Sequence, residues 1–236
     1  MLPREPLRLA KLPVQFKGVF SDVYVCRDAS GMEFLFKHAK SEKAVLNELL
    51  AHKLAGVVGV SMPDFLESRS VDGRDGLLMT YLKDDILLAK LGGVLSGRQL
   101  RELQRIVLFD LLVGNRDRHS ANVLVGEGLV AFDHGRIFID RSSPGIKFVK
   151  LDIGRFLDEH YIDKVEKISS GTAVSTRDFL VKHLCFHQED FDAIKRIKVS
   201  DFRRAVDGVK CSKNVRDAAY RYMVFRQNVF DTISYC

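Results

Sequence analysis

The sequence predicts an α+β chain in two lobes, a small β-rich N-terminal lobe over residues 1–82 and a helical C-terminal lobe over 83–236. Three observations predict it. Strand-like runs crowd the first third: Phe16–Arg27 (FKGVFSDVYVCR), Met32–His38 (MEFLFKH) and Gly76–Leu82 (GLLMTYL). From Ser96 onward helix signals dominate, with apolar residues recurring at three- and four-residue spacing. Between them, a polar stretch at Asn115–Asn122 joins an apolar helix to an apolar hairpin, the kind of rigid mount that functional loops need.

Composition sets the class. The chain has 236 residues, 46% apolar and 29% charged, as in soluble globular proteins with a substantial core. No apolar run approaches the roughly 18 residues of a membrane span, and the start MLPREPLRLAKLP lacks the apolar stretch of a secretory signal. The four cysteines (Cys26, Cys185, Cys211, Cys236) form no C-x-x-C pair and read as free thiols of a reducing, cytoplasmic compartment. A net charge of +6 suits an acidic substrate, nucleic acid or an anionic membrane and selects none of them. No nucleic-acid recognition motif accompanies it.

Taken in order, Phe16–Arg27 and Met32–His38 flank Asp28-Ala29-Ser30-Gly31, a hairpin with a glycine turn. Strand alternation sends Phe34 and Phe36 to one face, Leu35 and Lys37 to the other. Ser41 then caps a helix carrying Leu46, Leu50 and Leu54, with Gly59 near its end and Pro63 beyond. Gly76–Leu82 is a short apolar strand, Lys83-Asp84-Asp85 a polar connector, and Gly92-Gly93 a loop. Ser96 and Gln99 form a capping box that opens a helix with Leu100, Leu103, Val107, Leu108 and Leu111 on one face. Gly114 ends it. Val123–Val125 and Leu129–Phe132 flank Gly126-Glu127-Gly128 as a second hairpin. Arg136–Arg155 follows as a connecting segment with a turn at Ser142-Ser143-Pro144-Gly145. Helices are expected over Ser175–Leu184, Asp190–Ile197, Val199–Val209 and Lys213–Ser234, where 12 Lys and Arg face 8 Asp and Glu from Ser175 on. His183, Cys185 and His187 lack a fourth ligand and are not expected to hold zinc.

The chemistry concentrates in Val113–Asp133, VGNRDRHSANVLVGEGLVAFD, followed by His134 and Gly135. Asp117 and Asn122 have the Asp-x4-Asn spacing of a kinase catalytic loop, and Asp133-His134-Gly135 stands where such enzymes carry Asp-Phe-Gly. In that arrangement one carboxylate orients the acceptor hydroxyl, while an Asn oxygen and a second carboxylate hold Mg²⁺ on ATP.

The segment LFDLLVGNRDRHSANVLV…LVAFDHG resembles the atypical kinases that write this loop D-R-H-x2-N, the phosphoinositide 3/4-kinase group and, most closely, the HipA-like kinases. NELLAHKLAGVVGVSMP resembles their helix whose glutamate pairs with a strand lysine. The resemblance implies a two-lobed protein-kinase-like fold with ATP and Mg²⁺ between the lobes. Lys37 would hold phosphates, Glu48 would orient Lys37, and Asp117 would be catalytic, with His119 supporting the loop or the transferring phosphate. Asn122 and Asp133 would bind metal. Gly18 and Ser21 would lie by the phosphates, Met79 would wall the adenine pocket, and backbone groups of Thr80, Tyr81 or Leu82 would bond the base. The activity implied is an ATP-dependent serine/threonine protein kinase that also phosphorylates itself. A phosphoinositide or small-molecule kinase uses the same parts. A nucleotide-binding pseudokinase or a basic nucleic-acid-binding module is the reading from another class, and the presence of Lys37, Glu48, Asp117, Asn122 and Asp133 together argues against the first of these.

Overall fold

The first hairpin closes on one carboxylate. Asp28 Oδ1 accepts from the Ser30 N–H at 2.8 Å, the Ser30 hydroxyl at 2.6 Å and the Met32 N–H at 3.0 Å, an Asx-type turn. The computed structural model describes residues 7–11, 21–39, 42–91, 95–115, 118, 120–135, 137, 188–209 and 211–230. In it β1 (Arg8–Lys11), β2 (Ser21–Arg27), β3 (Glu33–Ala39), β4 (Phe65–Val71) and β5 (Arg74–Thr80) form an antiparallel sheet ordered β1-β2-β3-β5-β4. The polar strand β4 was not expected from its sequence. It forms because Asp72 and Gly73, at φ 49° and 72°, make a tight hairpin that lays it against apolar β5. Strand β5 starts two residues earlier than the apolar run and ends at Thr80, its last rung to β3 being Phe34–Thr80.

The sheet's two faces do different work. Phe34 and Phe36 join Leu7, Cys26, Val71 and Leu78 in a small buried cluster. Directly opposed strand residues share a face, so Val23, Leu35, Lys37, Leu77 and Met79 line the other one.

Helix α1 (Glu42–Val58) buries Leu50, Ala51, Leu54 and Ala55 in the large core, with the helices rather than with the sheet cluster. Helix α2 (Gly97–Val113) carries the expected capping box: Ser96 Oγ accepts from the Gln99 N–H at 3.2 Å and Gln99 Oε1 from the Ser96 N–H at 2.9 Å. From Ile106 to Val113 every side chain is buried, Asp110 included, so the helix is enclosed on all sides rather than on one stripe. A second sheet orders β6 (Ile86–Leu87), β7 (Val123–Val125) and β8 (Leu129–Ala131) in sequence. Glu102 of α2 fixes it by accepting the Leu129 N–H at 2.7 Å.

Among the described residues three further helices follow: α3 (Gln188–Lys195), α4 (Val199–Asp207) and α5 (Lys213–Phe230). Phe202 and Met223 are fully buried, where α4 packs on α1 and α5 and where α5 packs on α2. Asp190 receives Arg101 at 3.3 Å and Arg105 at 2.8 Å, pinning α3 to α2. Among the described residues no helix is long and apolar enough to cross a membrane. Gly18, Ser41, the turn at Ser142–Gly145, the helix expected over Ser175–Leu184, the trio His183, Cys185 and His187, and the end of the last helix at Ser234 lie outside the described residues.

Candidate active site

Lys37 is the meeting point of three elements. Strand β3 turns it to the face that looks toward the helices, where its Nζ donates to Glu48 Oε1 of α1 at 2.5 Å and to Asp133 Oδ1 at 2.7 Å. The Lys37 and Glu48 side chains are 7% and 6% exposed, and Asp133 is 38% exposed. Burial alone would lower the lysine's pKa, but the Glu48 and Asp133 carboxylates outweigh it and hold the ammonium above its ordinary value. Lys37 is therefore a permanent cation at neutral pH. A buried charge of this kind persists only with its partners in place.

The loop between α2 and β7 is built on a buried guanidinium. Gly114 ends α2 in the left-handed conformation at φ 67°, and the Tyr222 hydroxyl of α5 occupies the space a Cβ there would need. Four residues on, Arg118 bonds Asp110 in a fork, Nε to Oδ2 at 2.8 Å and Nη2 to Oδ1 at 3.1 Å. Its Nη1 donates to the carbonyls of Asn122 at 2.6 Å and Phe132 at 2.7 Å, and Nη2 contacts His134 Nε2 at 2.6 Å. Asn115 completes the network, donating from Nδ2 to Asp110 Oδ1 at 2.8 Å. One side chain thus ties the segment before β7 to the segment after β8.

His134 sits in that network fully buried, against Phe109 at a ring distance of 5.6 Å. A guanidinium only donates, so Nε2 accepts and the proton of the neutral ring lies on Nδ1. Burial first, then the Arg118 charge, keep the imidazole's pKa well below its usual value.

Asn122 ends a 3₁₀ turn and is 5% exposed, and its carbonyl also takes the Phe132 N–H at 3.1 Å. Asp133 holds a left-handed backbone at φ 60°, which a non-glycine residue keeps only where surrounding bonds enforce it. An amide oxygen and a carboxylate delivered from adjacent backbone segments are hard oxygen donors, the chemistry Mg²⁺ takes when phosphates fill its other positions. Among the described residues no three His, Cys, Asp or Glu side chains cluster as a caged metal site.

Met79 lies opposite Leu35 on the Lys37 face of the sheet. The Thr80 N–H donates to Asp64 O at 2.9 Å, so that donor is already used among the backbone groups of Thr80, Tyr81 and Leu82 expected at the hinge. Tyr81 lines a cavity of about 480 Å³ with Arg27, Gly31, Glu33 and Lys83, at the end of the sheet where β3 begins. Lys37 and Asp133 do not line it; they close on each other. Asp117, His119 and Gly18 lie outside the described residues, as does the side chain of Ser21.

Sequence reasoning missed Arg118, Asp110, Asn115, His134 and Asn47. Arg118 stood inside the D-R-H motif, and Asn47 one residue before Glu48, so proximity to predicted residues was the available signal. Nothing local marks Asp110, which looks like an ordinary polar position on a helix.

No family model matches the chain, and no curated protein matches its sequence. Solved structures do. The proinflammatory kinase CtkA of Helicobacter pylori superposes with a TM-score of 0.63 at 12% identity, over 95% of this chain and 94% of that one. The Rio2 kinase of Chaetomium thermophilum, in its ADP/Mg²⁺-phosphoaspartate complex, reaches 0.49 at 12% identity over 94% of this chain and 70% of that one. A second Rio2 structure gives 0.49 at 14%, over 90% and 71%. At such identities the likeness is one of fold, and the chain has the two-lobed fold of the kinases.

Proposed function

We propose that the chain is an ATP- and Mg²⁺-dependent phosphotransferase, a HipA-like atypical kinase that transfers phosphate to protein Ser/Thr hydroxyls, its own included. The observation that carries this reading is Lys37, bonded at once to Glu48 and Asp133 across 11 and 96 residues of sequence. A core ion pair needs one partner. A lysine paired with a helix glutamate and lying beside the aspartate of Asp-x-Gly brings together the cation for the phosphates and the carboxylate for the metal.

The lobes divide near Leu82 in this reading, with Tyr81 and Leu82 presenting backbone groups to the base and Met79 beside it. Gly18 and Ser21 lie by the phosphates. Lys37 orients the phosphate chain, held by Glu48. Asn122 and Asp133 hold Mg²⁺, which when bound neutralises the phosphate oxygens. Asp117 orients the acceptor hydroxyl and takes its proton, with His119 beside it; this pair rests on the motif alone.

The test is incubation with γ-labelled ATP and Mg²⁺, following label into the protein itself, added protein, and lipid and sugar pools. Phosphoserine or phosphothreonine that disappears in Asp117→Asn supports the reading. Transfer to phosphoinositides with no phosphoamino acid overturns the protein-kinase assignment, and nucleotide binding without transfer to any pool overturns the enzyme.

A further inference from the structure

Asn47 is 1% exposed, one residue before Glu48 on α1. Its Nδ2 donates to the carbonyls of Gly135 at 2.8 Å and Ile137 at 2.9 Å. The contacts form a closed circuit. Lys37 bonds Glu48; Glu48 adjoins Asn47; Asn47 bonds Gly135; Gly135 lies two residues past Asp133; and Asp133 bonds Lys37. Helix α1 is anchored independently of the sheet, through Leu50 and Leu54 in the large core.

A side chain at such a site that served packing alone would be apolar. Among the described residues this amide's buried Oδ1 finds no hydrogen-bond partner, an unfavourable arrangement that an apolar residue would avoid. Its two donated bonds go to the stretch of chain that follows Asp133. Gly135 itself has ordinary contact space on this side, Glu48 Oε1 lying 3.6 Å from where its Cβ would be, so backbone bonding rather than a steric stop sets the spacing.

We propose that Asn47 is a positioning residue that couples α1 to the chain just past Asp133, so that both carboxylate partners of Lys37 move as one unit. This rests on reading Lys37 and Asp133 as phosphate and metal ligands. Any displacement of α1 would then withdraw Glu48 from the lysine and release Asp133 together, and reseating α1 would restore both.

Asn47→Leu removes both donors at similar size, and Asn47→Asp keeps the shape while turning an acceptor toward two carbonyls. Each folded variant is compared with wild type in two ways. Hydrogen exchange without ligand is followed in peptides spanning 42–58 and 133–137. Binding of a fluorescent ATP analogue is titrated against Mn²⁺, with turnover where present. Coupling predicts faster exchange in both segments together, an Mn²⁺ requirement raised by about tenfold, as loss of an outer-shell support does, and kcat lowered more than the KM for ATP. Faster exchange confined to 133–137, with α1 and the Mn²⁺ requirement unchanged, overturns it and makes Asn47 a local plug. If wild type binds neither analogue nor Mn²⁺, the kinase reading fails, and the exchange data alone decide the coupling.

Discussion

Arg118 shows how much one residue carries. Four groups depend on its guanidinium: the Asp110 carboxylate, two carbonyls and the His134 ring. A lysine would keep the charge beside Asp110 but lose the fork, stranding acceptors that each cost about 1–3 kcal/mol when buried and unmade. We expect Arg118→Lys to lose about 3 kcal/mol in urea unfolding and to lower kcat with a smaller change in KM. Wild-type stability and kcat together would remove Arg118 from the scaffold. Lys37 gives a second residue-scale prediction. Lys37→Met leaves Glu48 buried without its cation, a loss of about 3 kcal/mol, and adding Glu48→Gln should recover much of it. If the double variant is no more stable than the single one, the pair is not what holds this contact. The sign in pH follows from the raised folded-state pKa. The lysine's contribution is complete below its ordinary value of 10.5 and fades only as pH climbs past that through the folded value, so neutral titrations should not see it. Lys37 was legible from its place on a strand ahead of a glutamate-bearing helix. Asp110 was not, because its meaning comes from Arg118, eight positions away and beyond the end of the helix.

At the scale of elements, α2 was the most legible part because its signals are local: Ser96 and Gln99 at one end, Gly114 at the other. Strands β1, β4 and β6 were not, being short or polar and existing through their partners. The end of α2 also depends on a distant element, since the Tyr222 hydroxyl fills the Cβ space at Gly114. Gly114→Ala should therefore cost more than the roughly 1–2 kcal/mol of a left-handed backbone alone. Combined with Tyr222→Phe, the two losses should sum to less than additive in thermal melts, and strict additivity would separate the sites. The junction of α1 and β4 carries the pH prediction. His52 Nε2 accepts the Phe65 N–H at 3.0 Å, which a protonated ring cannot do. Burial, then Lys53, lower its pKa from 6.5, so below that pH the unfolded chain binds more protons and stability falls on acidification. The ring is partly solvated, so the slope should stay well under about 1.4 kcal/mol per pH unit. His52→Gln should flatten it, and an unchanged acid slope would assign it elsewhere, His134 first.

At the scale of the molecule, the sheet delivers Lys37, the helical core delivers Glu48 through α1, and the hairpin after α2 delivers Asp133. The catalytic motif and the resemblance could name these three residues, but only the fold shows that the lysine bridges both carboxylates. That has a consequence for metal binding. With Lys37 on Asp133 Oδ1, the aspartate already has a cation, so a divalent metal must displace the ammonium or arrive with phosphates that draw it away. Nucleotide should draw it away, because its phosphates offer Lys37 another anion and Mg²⁺ further oxygens. Mg²⁺ alone should then shift the melting temperature little, while Mg-ATP at about 100 times its Kd should add about 2.7 kcal/mol. Lys37→Met should reverse the order: Mn²⁺ alone should stabilise it, since Glu48 and Asp133 are left without their cation, and ATP should add little. Asp133→Asn should respond to neither metal nor the nucleotide's metal dependence. Calorimetric titration of Mn²⁺ into the three proteins without nucleotide decides the matter. Metal binding to wild type as tight as to Lys37→Met would mean that the lysine does not guard the aspartate, and that the two ligands are filled independently.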